Sequence, residues 1–178
     1  MKKILLLLTS LVLLTGCINV SIHGAKEDEK TSQTETKEAS LTFVRAERYK
    51  NQPNEILDLA ERYVKEEPNL GEPGRLVVFF PGYTFGDEEQ RYALLLIVNQ
   101  TTTNIDRDGN FDLNLEYDGK PILENITVNY RIEESGVLNR NTVAAIPLKI
   151  TREQEEKMRS MEESSKFKMT MTDFTFKK

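Results

Sequence analysis

The hydrophobic positions change period several times along the chain, and each change predicts an element. Ile56, Leu57, Leu59, Ala60, Tyr63 and Val64 fall at i, i+1, i+3, i+4, i+7 and i+8, one apolar stripe of a helix over 54–66. Pro53 suits its first turn and Pro68 ends it. Residues 41–49 have the composition of a first strand. Two apolar runs follow, at 76–80 and 92–98, without the alternation of a strand that shows one face to water. Both faces of these strands are therefore expected to be covered, with the helix stripe the natural cover for the second face.

Further on, the period is two. Phe111, Leu113, Leu115 and Tyr117 alternate with Asp112, Asn114 and Glu116. Ile126, Val128, Tyr130 and Ile132 alternate with polar residues, and Ala144, Ile146, Leu148 and Ile150 form another face. Pro147 marks that last strand as an edge or bulged one, because proline has no N–H to give a ladder. Gly109 and Gly119, each after an aspartate, read as turn punctuation. Thr151 with Gln154 is a capping-box pattern for a short, polar helix over 152–163. Phe167, Met169 and Met171 alternate, while Phe174 and Phe176 are out of phase by one, which a bulge near Thr172 and Asp173 would restore.

About seven strands and two helices predict a mainly β fold, an antiparallel sandwich over 41–178 with one amphipathic helix and one short surface helix. The path from Tyr92 through Asn99-Gln100-Thr101 to Phe111-Asp112-Leu113 and Asp118-Gly119-Lys120 resembles the immunoglobulin-like extracellular domains of bacterial lipoproteins. That resemblance implies an immunoglobulin-like sandwich and names no ligand.

The N-terminus has a different character. Lys2 and Lys3 precede an apolar stretch over 4–14 that is shorter than the roughly 20 residues a spanning helix needs, and has the length of a signal-peptide core. Leu14-Thr15-Gly16-Cys17 follows and resembles the lipobox of bacterial lipoproteins. The resemblance implies cleavage after residue 16, a lipid on Cys17 and anchoring at the extracytoplasmic face of the cell membrane. Residues 25–40 contain no apolar residue larger than alanine, so 17–40 is expected to be a lipidated, disordered tether.

Composition then narrows the chemistry. The 178-residue chain carries a formal net charge of −5, and losing Lys2 and Lys3 with the signal leaves it more acidic still. Nucleic acid is thereby disfavoured as a partner. Cys17 is the one cysteine and His23 the one histidine, both before the sandwich. Disulfides, Ser–His or Cys–His catalysis and the usual zinc ligand sets are not expected in the folded part.

Three readings of function follow. The first is a membrane-anchored, non-catalytic binding or assembly module whose partner is an envelope protein or cell-wall glycan. Its candidate contacts are Tyr83 and Phe85, in the glycine-flanked stretch 82–86. The second is a calcium-dependent adhesion or sensing domain. Asn104, Asp106, Asp108, Asn110 and Asp112 place oxygen ligands at alternate positions, as the first half of an EF-hand loop does, but Leu115 stands where the closing glutamate belongs. A polar hairpin loop is the competing account of the same residues. The third is a hydrolase acting through paired carboxylates.

Overall fold

The computed structural model describes residues 40–177. They form a mainly β fold of two sheets, with three α-helices and no barrel.

The first sheet is organised around β4 (Arg91–Asn99) and β7 (Thr142–Ile150), antiparallel over nine residues from Arg91↔Ile150 to Asn99↔Thr142. β1 (Thr42–Val44) pairs parallel with β7 on one side. On the other side β2 (Leu76–Phe79) and β3 (Thr84–Gly86) lie one after the other along β4. The second sheet has the order β6 (Lys120–Tyr130), β5 (Gly109–Tyr117), β8 (Phe167–Met171), and β9 (Thr175–Phe176) also pairs with β5.

Alternation assigns the faces. Leu95 and Ile97 of β4, with Ala144, Ile146 and Leu148 of β7, meet Phe111, Leu113, Leu115, Val128 and Tyr130 of the second sheet in one buried core. The even residues of β4, Leu94, Leu96 and Val98, enter a second core with Val143 and Ala145. The cover there is α1 (Glu55–Glu66), through Ala60 and Val64. The double coverage expected of the 92–98 run is thus present, and each fully buried leucine contributes about 1.5–3 kcal/mol.

Helix ends follow side-chain chemistry. Asn54 caps α1 by accepting the Leu57 N–H at 3.0 Å, so Pro53 stands just outside the helix and not in its first turn. Thr151 and Gln154 form the expected capping box at the start of α3 (Arg152–Arg159), which ends sooner than the expected 163. Met158 of α3 is buried in the inter-sheet core.

Several expectations need correction. Residues 41–49 make only a three-residue strand, followed by a 3-10 turn at Glu47–Tyr49. There are nine strands among the described residues, and one pairing, β1 with β7, is parallel. β6 starts at Lys120, six residues before the alternation that signals it. The register shifts between Leu113 and Leu115, where Asn114 faces Glu124 and Asn125, and Asn125 has φ +49°. That bulge moves the inward set from Leu123 to the even residues Val128 and Tyr130, which hides the first half of the strand in the sequence. Ile132 leaves the strand to open a four-residue helix, α2 (Ile132–Ser135).

The two Asp–Gly pairs also differ. Asp118 (φ +51°) and Gly119 (φ +71°) make a two-residue hairpin turn between β5 and β6. Gly109 instead begins β5, buried under the Phe174 ring, where a Cβ would lie 2.2 Å from a ring carbon. At the C-terminal end a break replaces the expected single bulge. β8 stops at Met171, and the Thr172 hydroxyl accepts the Asp112 N–H at 2.8 Å before pairing resumes at β9.

Pro147 sits opposite Leu94, whose N–H donates away from β7 to the Tyr83 carbonyl. The ladder between β4 and β7 therefore asks no N–H of residue 147, and β1 has ended by Ala144. The edge reading of Pro147 holds at this point of the strand.

Where β4 ends, fully buried Asn99 gathers the surrounding loops. Its amide donates to the carbonyls of Thr103 at 2.9 Å and Leu138 at 3.0 Å, and its oxygen accepts from the Thr101 N–H and hydroxyl. Truncating it would orphan several buried groups. Asn99→Ala is expected to lower unfolding free energy by about 3 kcal/mol, measured by urea denaturation; a loss within error of zero would contradict this role.

Candidate functional site

A 12-residue helix is about 18 Å long, whereas a nine-residue strand runs about 30 Å. α1 therefore cannot cover the whole outer face of β4. Beyond its N-terminus Arg48 and Tyr49 of the 3-10 turn and Glu134 of α2 wall the outer face, leaving a groove of about 450 Å³. Phe85, Tyr92, Leu94 and Pro147 come from the sheet, while Tyr49 and Ile56 stand along the groove from the 3-10 turn and α1.

The aromatics are held in place. Phe85 stacks on Tyr92 with ring centroids 5.4 Å apart and 22° between planes, because β3 pairs Phe85 directly opposite Tyr92. The Tyr92 hydroxyl donates to Gln90 Oε1 at 2.7 Å. Tyr49 lies under the Arg48 guanidinium, 4.5 Å from the ring centroid, and Arg48 also donates to the Tyr49 hydroxyl. Glu134 is the carboxylate of the lining. The site thus offers flat apolar surface, one cation and one anion, which suits stacking against a ring or an extended chain.

The hairpin carrying Phe85 is tied down from below. Glu155, largely buried, accepts the Thr84 hydroxyl at 2.9 Å and pairs with Arg91 and Arg159, each at 2.8 Å. Burial pushes its carboxyl up, but the Thr84 bond and the charges of Arg159 and Arg91 outweigh that and hold it below the usual glutamate range. A second cluster fixes the chain before the 3-10 turn, where Arg45 bridges Asp58 and Glu61 of α1, both at 2.7 Å.

Of the expected binding residues, Phe85 lies in the groove and Tyr83 beside it. Tyr83 is 37% exposed and meets Tyr63 of α1 edge-on at 6.3 Å. Tyr49, Tyr92 and Pro147 were not singled out from sequence. Their signal was the mismatch in length between the helix stripe and the strand beneath it.

The residues proposed for calcium are spread along extended chain. Ile105 forms an isolated bridge with Leu138, and Asn110 and Asp112 belong to β5. Asp108 accepts the Ile132 N–H at 3.0 Å, Asp112 accepts the Thr127 hydroxyl at 2.7 Å, and Asp106 lies 3.7 Å from Arg107. Asn104 is exposed. Among the described residues no three His, Cys, Asp or Glu side chains gather as a metal-holding group. Cys17 and His23 lie outside the described residues.

With the geometry in place, comparison with known proteins adds one finding. Residues 1–17 match the family model of the prokaryotic membrane lipoprotein lipid attachment site. The match supports a bacterial lipoprotein attached to a membrane through a lipid anchor. No curated protein and no solved structure matches the chain. Among the described residues, no helix is long and apolar enough to cross a membrane.

Two measurements probe these arrangements. Because the folded carboxyl of Glu155 is depressed, its contribution is present above the unfolded value of about 4.3 and is lost as pH falls through the folded one. The melting midpoint of Glu155→Gln should therefore lie below wild type at neutral pH and converge with it in acid; parallel curves would contradict this. Millimolar calcium is expected to leave the wild-type midpoint unchanged, whereas a rise of several degrees would establish a calcium site.

Proposed function

We propose that this lipoprotein is a non-catalytic binding or assembly module, held by a diacylglycerol thioether on Cys17 at the extracytoplasmic face of the cell membrane. The lipid-attachment match carries the anchoring half of this reading. The sandwich is of immunoglobulin-like type, a reading supported by two facing, mostly antiparallel sheets and by the turns at Asn99 and Asp118-Gly119. Residues 17–40 act as the spacer, since 25–40 hold no apolar residue larger than alanine and are too polar to bury a core.

The binding half rests on the aromatic groove. Phe85 and Tyr92 form a stacked platform and Tyr83 stands partly exposed nearby. Such surface contributes to recognition through area held at low entropy cost. An envelope protein or a cell-wall glycan is the partner class, and ring stacking serves either.

Cys17→Ser is expected to move the protein from the membrane to the soluble fraction, read by fractionation and blotting. A photo-crosslinking residue in place of Tyr92 should capture a specific partner in intact cells, and Phe85→Ala should reduce that capture about tenfold. Membrane release without any capture would leave the anchor standing and remove the groove from the account.

A further inference from the structure

The groove uses the outer face of the first sheet, but the sandwich is also open along one side. There the free edges of β2 and β8 flank a cleft of about 580 Å³, lined by the apolar Leu76, Val78 and Met171 and by the charged Glu72, Arg75 and Asp173. Hydrogen-bond parity shows which backbone groups this edge presents. Gln100 donates to the Arg75 carbonyl, and antiparallel pairing alternates bonded and non-bonded pairs. Val77 and Phe79, opposite Val98 and Leu96, are then the bonded positions. Leu76 and Val78 turn their N–H and C=O groups outward, and no backbone partner meets them among the described residues.

The other edges carry protection. β6 has Pro121 and the bulge at Asn125, which twist it away from a straight template. β1 is three residues long, and Pro147 interrupts the exposed part of β7. β3 is overlaid by α3 through the Thr84, Glu155 and Arg159 bonds. β8 carries Lys168. β2 has none of these devices: Leu76-Val77-Val78-Phe79 is uncharged and β-branched or bulky throughout, bounded by Arg75 and Pro81. An edge of this kind in water is a template for another strand.

We propose that β2 of one molecule pairs antiparallel with β2 of a second copy around a two-fold axis at Val77. In this register Leu76 and Val78 exchange backbone bonds with Val78 and Leu76 of the second copy. Val77 faces its own counterpart in a non-bonded pair, with Cα atoms about 4.5 Å apart. Along the paired strands Arg75, itself paired with Glu72 at 2.6 Å, stands opposite Phe79 of the second copy, so no like charges face each other within the ladder. A second copy suits the edge better than a lone strand because both sheets are open on this side. A molecule bringing the same two edges covers the cleft as well as β2, in a closed, self-complementary contact. Attachment of all copies to one membrane surface raises their encounter rate.

The test uses the mature lipoprotein extracted in detergent, in which lipidation of Cys17 leaves an introduced cysteine as the free thiol. Val77→Cys should give a disulfide-linked dimer under mild oxidation, at least tenfold above an exposed control, Val137→Cys, and above wild type. Leu76→Pro removes one outward N–H at the first position of the strand, where proline is tolerated, and should shift the light-scattering mass from dimer to monomer. Val77→Cys that crosslinks no more than the control overturns the proposal, and so does a folded Leu76→Pro that stays dimeric. Should Leu76→Pro fail to fold, the Val77→Cys comparison decides alone.

Discussion

The burial of β4 on both faces is the constraint on which the rest of this structure depends. Seven consecutive residues, Ala93 to Asn99, are withdrawn from water. A strand in that position must be paired on both edges and covered on both sides. β7 supplies one edge, and β2 with β3 the other. The second sheet covers the odd residues, and α1 covers the even ones. Each neighbour is thus placed by a need of this one strand. Asn99 ends the buried run by turning polar at the point where the chain must leave the sheet, and its four hydrogen bonds replace the ladder that stops there.

The same constraint locates the groove. α1 buries what its length reaches, and the remainder of the outer face keeps Phe85, Tyr92 and Pro147 within reach of solvent. The ion cluster around Glu155 holds the β3–β4 hairpin against α3, which is why Phe85 can stack in a fixed position on a short strand. Arg45, through Asp58 and Glu61, does the corresponding work for the segment that carries Tyr49. The lipid-attachment match at residues 1–17 and the groove belong to separate parts of the chain.

Legibility in the sequence tracked the locality of the cause. The capping box of Thr151 and Gln154 was visible because all its atoms come from four successive residues. The helix stripe was visible because its period is intrinsic to the helix. The first half of β6 was not, since a bulge at Asn125 reverses the phase of the inward residues and alternation read in one phase stops there. Gly109 was misread as a turn for a similar reason. Asp108-Gly109 and Asp118-Gly119 are alike in sequence, and only the distant Phe174 ring makes the first a close-packing position. Of the candidate site, Phe85 was legible as an aromatic between glycines, while Tyr49 and Tyr92 became part of it only through the extent of α1.

By itself the sequence determined the lipid-attachment signal, the β-rich class and the double coverage of β4. Each rests on a run or period within one segment: the lipobox over 14–17, the alternations, and the unbroken apolar stretch 92–98. Only the tertiary structure decided that β1 would join β7 in parallel and that one oxygen each of Asp108 and Asp112 would accept from Ile132 and Thr127. It alone decided that β2 would keep an open edge. Those outcomes depend on which strand lies beside which, set by the packing of residues tens of positions apart, and local pattern carries no record of it.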